Sequence, residues 1–356
     1  GVFREDAMEK GYRVAVIGAT GNVGGNIVRI LDDRKFPVES LHPVVSKDSI
    51  MRSVSFQNRF IRTTQLEAVD FSEIDLAIFC AGESVSQKYA EKAAQAGAVV
   101  IDKTSYFRMN PLVPLVIPEV NGDILKKGTQ LGIISTPNCV ATPLCMALKA
   151  LMKVSQPKRV VVSTYQAVSG AGQKAISELY YQSRTVISDF GDITCEVFPK
   201  QIAFNVIPQI GGFDETGISG EESKISEELV KILQCDVKSA VTCVRVPVFI
   251  GHSMSVACEF ESDISEEEVF DALEDFEGIL TIDRKEDGVF VTPLDAQGQD
   301  VVFISRIRKD PSVEHGLLFW LATDNLRKGA ALNSVQIAER MIEIDPSLNI
   351  FKRKQA

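Results

Sequence analysis

The sequence predicts an α/β protein with two domains, a doubly wound parallel sheet first and an α+β domain after it. Short apolar runs with the character of strands alternate with helical segments in the first part of the chain, as in βαβ units. Longer runs, several with alternating polar and apolar residues, follow in the second part and indicate an antiparallel or mixed sheet. The chain has 356 residues, 45% of them hydrophobic, which is enough for two cores.

The first domain is predicted at residues 8–137. Its strands are expected at 13–17, 41–45, 76–79, 99–101 and 131–134, and its helices at 26–31 and 87–96. Parallel strands need such crossover connections, usually a helix, between them. Residues 1–7 precede Met8, and we exclude them from the fold as a cloning remnant or a short disordered start.

The second domain is predicted at residues 138–329. A helix at 141–153 opens it, and its strands are expected at 160–166, 242–246, 253–260, 303–308 and 317–323. Residues 183–223 are rich in turn formers and resist assignment. A helical stretch at 330–344 follows this domain, with apolar residues at helical spacing.

Composition excludes several classes of protein. The net charge of -10 argues against nucleic-acid binding, and no apolar run is long enough to span a membrane. The seven cysteines stand singly and there are only three histidines, so we expect no metal site. Unpaired cysteines also predict a reducing compartment, and we expect a cytoplasmic location. The cysteines are Cys80, Cys139, Cys145, Cys195, Cys235, Cys243 and Cys258.

A glycine-rich loop follows the first strand directly. Gly18, Gly21 and Gly24 in GATGNVG allow a tight turn and let the backbone approach a pyrophosphate at a helix N-terminus. This predicts a Rossmann-type dinucleotide site, to which we also assign the intervening residues Thr20, Asn22 and Val23. The alternative is a strand-to-helix turn that binds no ligand.

The end of the second predicted strand bears on the choice of cofactor. Ser46 and Lys47 suit the 2′-phosphate of NADP, and we include Ser49 in the same site. Asp48 could instead bind the ribose of NAD, and a polar surface loop with no ligand is a further alternative. The set has few basic residues, which Arg52 would supplement. We predict NADP.

Cys139 lies between the last strand of the first domain and the predicted helix at 141–153. A thiol at a helix N-terminus is exposed to the positive end of the helix dipole, which lowers its pKa and favours the nucleophilic thiolate. From its position alone, a lone cysteine at a strand end is more often a small buried residue.

Several motifs, taken together, resemble the aspartate-semialdehyde dehydrogenases. Besides the glycine loop, they are NCVAT at 138–142, QAVSGAG at 166–172, GEESK at 220–224, RVPV at 245–248, GHS at 251–253 and DNLRK at 324–328. Each motif is weak alone, but their order and spacing are specific. The resemblance runs from about residue 13 to residue 344.

The resemblance implies reversible reductive dephosphorylation of L-aspartyl 4-phosphate to L-aspartate 4-semialdehyde through a cysteine thioester. Cys139 would be the nucleophile, His252 the acid/base, and Gln166 the residue that positions the substrate. Arg245 would bind the substrate carboxylate. Asn138, beside the nucleophile, is placed with the substrate-binding residues.

The remaining assignments also come from the resemblance. Glu221 would face the substrate ammonium, with its neighbour Glu222 as the alternative, and Arg108 and Lys224 would bind phosphate. The alternative is that Arg108 and Lys224 are solvated surface charges that bind no ligand. The other residues assigned to the cofactor, on its nicotinamide side, are Ser169, Gly170 and Asn325.

The resemblance further implies that 330–356 completes the first domain, and that the second serves for catalysis and dimerisation in a homodimer or homotetramer. The product would feed lysine, methionine, threonine and diaminopimelate synthesis. Two other functions stay open. One is an N-acetyl-γ-glutamyl-phosphate reductase or related phosphorylating aldehyde dehydrogenase, and the other is a non-catalytic dinucleotide-binding sensor.

Overall fold

The computed structural model describes residues 11–47 and 52–355. The chain forms two compact units. The first runs to Pro137 and resumes at Ala330, and the second spans Asn138–Gly329. Within the described ranges, none of the helices is both long and apolar enough to cross a membrane.

The first unit is built on a six-stranded parallel sheet with a separate hairpin. In chain order its elements are β1 (Tyr12–Ile17), α1 (Asn22–Asp33), β2 (Val38–Val45), β3 (Ser53–Phe56), β4 (Arg59–Arg62), β5 (Thr64–Gln65), β6 (Leu76–Phe79), α2 (Glu83–Gln95), β7 (Val99–Asp102), α3 (Pro118–Asn121) and β8 (Ile133–Ser135). The strand order is β5-β2-β1-β6-β7-β8, and β3 pairs with β4 in the hairpin. This is the order of a doubly wound dinucleotide-binding sheet, which confirms the predicted fold class.

The second unit is built on a mixed six-stranded sheet. Its elements are α4 (Ala141–Leu151), β9 (Pro157–Gln166), α5 (Gln173–Ser188), α6 (Gly220–Leu233), β10 (Lys238–Arg245), β11 (His252–Phe260), α7 (Glu266–Asp275), β12 (Ile279–Thr281), α8 (Pro293–Ala296), β13 (Val302–Lys309) and β14 (Gly316–Thr323). The order is β10-β9-β11-β14-β13-β12, with parallel pairs only at its two edges. The prediction of a mixed sheet is confirmed.

The last helix, α9 (Leu332–Ile344), belongs to the first unit and supplies part of its core. Successive residues of β1 enter different clusters: Val14 and Val16 pack with α1 and α9, whereas Ala15 and Ile17 pack with α2. Side chains of a strand point alternately to its two sides, so the sheet is covered on both faces.

The structure differs from the sequence-based assignment in two segments. The segment at 183–223, left unassigned, holds the end of α5 and the start of α6. Ser219 caps α6, accepting from the N–H of Glu222, whose side chain accepts from Ser219 in return. This capping box is a readable helix start that the many turn formers before it obscured. The stretch predicted as a helix from 330 instead passes through a π-helical turn, Arg327–Ala331, before α9 begins.

Candidate active site

Asn138 and Cys139 stand at the start of α4. The Asn138 side-chain oxygen accepts hydrogen bonds from the N–H groups of Val140 and Ala141 at 2.8 and 3.2 Å, which are donors that a helix start leaves unpaired. Cys139 is therefore held in the turn that leads into α4, next to the positive end of the helix, and it is partly exposed. Gly329 packs against it, since a Cβ there would lie 3.2 Å from the Cys139 Cβ.

Glu221 joins the cysteine turn to the end of β9. Its two carboxylate oxygens accept from Asn138 Nδ2 at 2.8 Å and from Gln166 Nε2 at 2.7 Å. Thr164 donates to Gln166 Oε1 at 2.9 Å, which fixes the direction of the Gln166 amide. The first turn of α6 thus places one carboxylate between two residues that the sequence assigned to the substrate.

Arg245 ends β10 with only 6% of its surface exposed. Its Nη1 donates to the carbonyl of Ala167 at 2.8 Å. Burial lowers the pKa of the guanidinium, and the negative charges of Glu221 and then Cys139 oppose that change. A buried cation whose charge is felt by the thiol and by Glu221 is suited to binding an anionic group.

His252, at the start of β11, is fully buried. The N–H of Ala167 donates to its Nδ1 at 2.9 Å, so the neutral ring carries its proton on Nε2. A Cβ on Gly170 would lie 3.2 Å from this Nε2 and 3.1 Å from Arg245 Nη1. The backbone of Gly170 therefore covers both functional groups closely, and the absence of a side chain leaves them room.

The other two residues assigned to the nicotinamide bond to each other. Asn325 Oδ1 accepts from the N–H of Gly251 at 2.9 Å, so its Nδ2 donates to Ser169 Oγ at 3.0 Å. Both side chains are buried. In the structure they hold the loop before β11, and their role at a cofactor stays a prediction.

The two cations assigned to phosphate lie in different units. Arg108 is 5% exposed and donates from Nε to Thr136 O at 3.0 Å and from Nη2 to Lys103 O at 2.7 Å. The view of Arg108 as a solvated surface charge is therefore wrong. Lys224 is half-buried, one turn after Glu221 on α6.

The glycine loop lies where the strand order of the first sheet reverses, between β1 and β6. A Cβ on Gly24 would lie 1.9 Å from the carbonyl oxygen of Gly18, so α1 packs on the loop too closely for any residue but glycine at this position. Gly18 has a φ of +96°, and a Cβ there would meet the backbone of Cys80 at 2.9 Å. Gly21 immediately precedes α1, followed by Asn22 and Val23, while Thr20 is exposed. The loop fits a pyrophosphate at a helix N-terminus.

The residues assigned to the 2′-phosphate are only partly visible. Ser46 and Lys47 are exposed and follow β2, whose carbonyl at Val44 accepts from Gly18 N at 2.9 Å. This places the end of β2 beside the loop. Ser49 and Asp48 lie outside the described residues.

Comparison with known proteins decides the family. Residues 13–128 match the semialdehyde dehydrogenase NAD-binding domain and residues 148–328 match the semialdehyde dehydrogenase dimerisation domain. The aspartate-semialdehyde dehydrogenase of Rickettsia conorii is 47% identical over 94% of this chain and 99% of its own. That of Aquifex aeolicus is 44% identical over 94% and 98%.

A solved structure, aspartate semialdehyde dehydrogenase II from Vibrio cholerae complexed with ASA, matches with a TM-score of 0.90 at 39% identity. The match covers 94% of this chain and 99% of that one. This chain belongs to the aspartate-semialdehyde dehydrogenase family. Its first unit is accordingly a nicotinamide-dinucleotide-binding domain.

One residue that lies at the site was not identified from the sequence. Glu228, on α6 and 1% exposed, accepts from the backbone N–H of Asn138 at 2.6 Å. With Glu221 two turns earlier, it gives α6 two carboxylates bound to the segment that carries Cys139. Their spacing of seven residues places both on one helix face and is the only sequence signal for this role.

Proposed function

We propose that the chain catalyses the reversible, NADPH-dependent reduction of L-aspartyl 4-phosphate to L-aspartate 4-semialdehyde. The observation that carries this proposal is the network around Cys139, in which Asn138 and Gln166 donate hydrogen bonds to Glu221, and the charges of Glu221 and Cys139 act to raise the pKa of the buried Arg245. An amino-acid substrate carries both a carboxylate and an ammonium, so a pocket with one cation and one carboxylate suits it.

The first chemical step belongs to Cys139. Its thiolate attacks the acyl carbon, the S–C bond forms, the C–O bond to the phosphoryl group breaks, and inorganic phosphate leaves. We assign Arg108 and Lys224 to the phosphate, whose negative charge two cations would stabilise. Arg245 holds the α-carboxylate, and Glu221 the ammonium.

The second step returns the thiol. NADPH, held by the Gly18–Gly24 loop with Ser169, Gly170 and Asn325 on the nicotinamide side, would supply a hydride to the thioester carbon. His252 carries the proton of its neutral ring on Nε2, because Nδ1 accepts from the N–H of Ala167. We infer that it donates to the carbonyl oxygen as charge develops there and exchanges that proton as the C–S bond breaks.

We infer NADP rather than NAD from the end of β2. Ser46 and Lys47 offer a hydroxyl and a positive charge to a 2′-phosphate, whereas NAD sites carry a carboxylate at this position. Lys47→Ala should raise KM for NADP about tenfold and leave KM for NAD nearly unchanged, because one lost charge-assisted hydrogen bond is worth about 1.5 kcal/mol or more. An equal change for both cofactors would contradict the assignment.

The main test is phosphate-dependent reduction of NADP by aspartate semialdehyde. We expect activity in the intact protein and a loss of about 10⁴-fold or more in Cys139→Ala, since no other residue replaces the nucleophile. Cys139→Ser should be almost as inactive. The acetylated glutamate semialdehyde serves as the competing substrate. Inactivity of the intact protein with aspartate semialdehyde, or an active Cys139→Ala variant, would contradict the proposal.

A further inference from the structure

A buried carboxylate outside the candidate active site binds the backbone of the segment that joins α5 to α6. Glu178 is only 8% exposed on the inner side of α5. Its Oε1 accepts from the N–H groups of Glu196 and Val197 at 2.6 and 2.8 Å, and its Oε2 from that of Phe198 at 3.0 Å. Three N–H donors on one carboxylate form strong, directional bonds.

Gln182, one turn further along α5, is a second anchor for the same segment. Its Oε1 accepts from the N–H groups of Ile202 and Ala203 at 2.9 and 3.1 Å, and its Nε2 donates to Thr194 O at 2.8 Å. We call residues 194–210 the strap. Two polar side chains of α5 thus fix the first part of the strap, from Thr194 to Ala203, where the chain has no helix or strand of its own.

The strap reaches both charged residues of the proposed substrate pocket. The ring centroid of Phe198 lies 5.8 Å from the guanidinium carbon of Arg245, within the range of a cation–π contact. Ile207 exchanges two backbone hydrogen bonds with Arg245, at 2.8 and 2.9 Å, and Ile210 O accepts from Glu221 N at 3.1 Å.

We propose that Glu178 is a positioning residue for substrate binding, which acts by fixing the strap and, through Phe198, the guanidinium of Arg245. This rests on the proposed function. The side chain of Phe198 packs in an apolar cluster with Val168 and Leu179 outside the strap and Ile202 within it. Such contacts are not directional, so they hold the ring in the core without setting its height against Arg245. The three hydrogen bonds that Glu178 accepts from the backbone fix the position of Phe198 along the strap, and so the distance between its ring and Arg245.

Two substitutions loosen the strap without touching the pocket. Glu178→Gln keeps the size of the side chain but puts an NH2 group opposite a backbone N–H whichever way the amide turns. Gln182→Met removes the second anchor and leaves Glu178 in place. Glu268→Gln is the matched control, because Glu268 also accepts a backbone N–H, from Ser265 at the start of α7, and has no contact with the strap.

The first readout does not depend on any activity. Native protein is alkylated with iodoacetate and, separately, with iodoacetamide, and the rate at Cys139 is followed by mass spectrometry of its peptide. The positive charge of Arg245 should favour the anionic reagent. We expect the ratio of the two rates to fall about fivefold in Glu178→Gln and Gln182→Met, as in an Arg245→Gln reference, and to stay unchanged in Glu268→Gln.

The second readout is steady-state kinetics of the variants. We expect KM for aspartate semialdehyde to rise about tenfold, with kcat and the KM for phosphate changed less than about twofold, since a misplaced clamp weakens binding rather than chemistry. An inactive wild type would refute the proposed function, while the alkylation ratio still decides on Glu178. The inference is overturned if both folded variants keep the wild-type ratio, even when their stability or kcat falls.

Discussion

At the scale of single residues, Gly170 lies against two side chains of the candidate active site. Gly170→Ala would put a Cβ 3.1 Å from Arg245 Nη1 and 3.2 Å from His252 Nε2, so both groups must shift by a few tenths of an ångström. Because catalytic geometry tolerates little displacement, we expect kcat/KM for aspartate semialdehyde to fall about tenfold or more. Steady-state assays on purified, folded protein would measure this.

The matched control for that substitution is Gly212→Ala, in the same unit. A Cβ at position 212 would meet no heavy atom within 4 Å. We expect its activity and stability to remain within about 0.5 kcal/mol of wild type. Equal losses of kcat/KM in the two variants would show that the close packing around Gly170 does not affect activity.

The cysteines offer a second test at this scale. Burial raises the pKa of the Cys145, Cys243 and Cys258 thiols, and nearby carboxylates add to the effect. A raised pKa keeps a thiol protonated between pH 7 and pH 9, so raising the pH across this window should not make these three react. Cys195 is exposed and Cys235 is half-buried.

Besides Cys139, we expect iodoacetamide to modify Cys195, and then Cys235, in native protein while Cys145, Cys243 and Cys258 stay unmodified. In denaturant all five should react. Mass spectrometry of digests taken at pH 7, 8 and 9 would measure the extent at each site. Labelling of Cys243 or Cys258 as fast as Cys195 in the folded protein would contradict the burial that the structure assigns to them.

At the scale of elements, the start of α1 contains two adjacent glycines with opposite roles. Gly24→Ala would place a Cβ 1.9 Å from the carbonyl oxygen of Gly18, which forces α1 away from the loop. Gly25→Ala meets its nearest atom, Ala19 O, at 3.8 Å, an ordinary contact. We expect Gly24→Ala to destabilise the protein by about 1–3 kcal/mol and to weaken NADP binding.

Gly25→Ala should be neutral or more stable by up to about 1 kcal/mol, because alanine favours a helix over glycine. Chemical denaturation gives both stabilities, and quenching of protein fluorescence on titration with NADP gives the affinities. If the two variants lost the same stability and affinity, the close packing of α1 on the loop would not be what requires glycine at position 24.

Elements differ in how far the sequence alone could predict them. Strands β1, β6 and β14 are continuous apolar runs, and local pattern located them to within a residue. The helix α5 was missed because its inner side carries Glu178 and Gln182, polar residues at core positions. Their partners lie 12 to 21 residues away in the strap. Only the folded chain brings such pairs together, so neither the strap nor its anchors could be predicted.

The site was predictable to the extent that motifs carry it. Cys139, Gln166, Arg245 and His252 stand in recognisable stretches, and the structure places them in one unit. Glu228 has no motif, and its bond to Asn138 N spans 90 residues of sequence. Their roles toward substrate and cofactor stay predictions, since a fold positions side chains but does not identify what they bind.

At the scale of the whole molecule, one face of the second sheet is covered, in the described part of the chain, by no helix other than the short α8, which packs on the end of β14. Helices α4, α6 and α7 pack on the other face. The uncovered side of the central strands carries mostly small or apolar residues, namely Val161, Ser163, Tyr165, Ser255, Ala257, Leu318 and Trp320. A mostly apolar face of this kind, bordered by Arg306 and Arg308, indicates a protein interface, and residues 148–328 match a dimerisation domain. We therefore expect a second copy of the chain to cover this face.

The last prediction tests that interface with a single charge. Ser255 is exposed at the middle of the face, opposite Trp320 on β14, the one tryptophan of the chain. Sedimentation should give twice the chain mass of 39.0 kDa for the wild type. Ser255→Glu should give monomers, since an unpaired buried carboxylate costs several kcal/mol, and should shift Trp320 emission to the red. Ser53→Glu, at an exposed position of β3 in the other unit, is the control. If Ser255→Glu remains a dimer at micromolar concentration, the subunits associate through another surface.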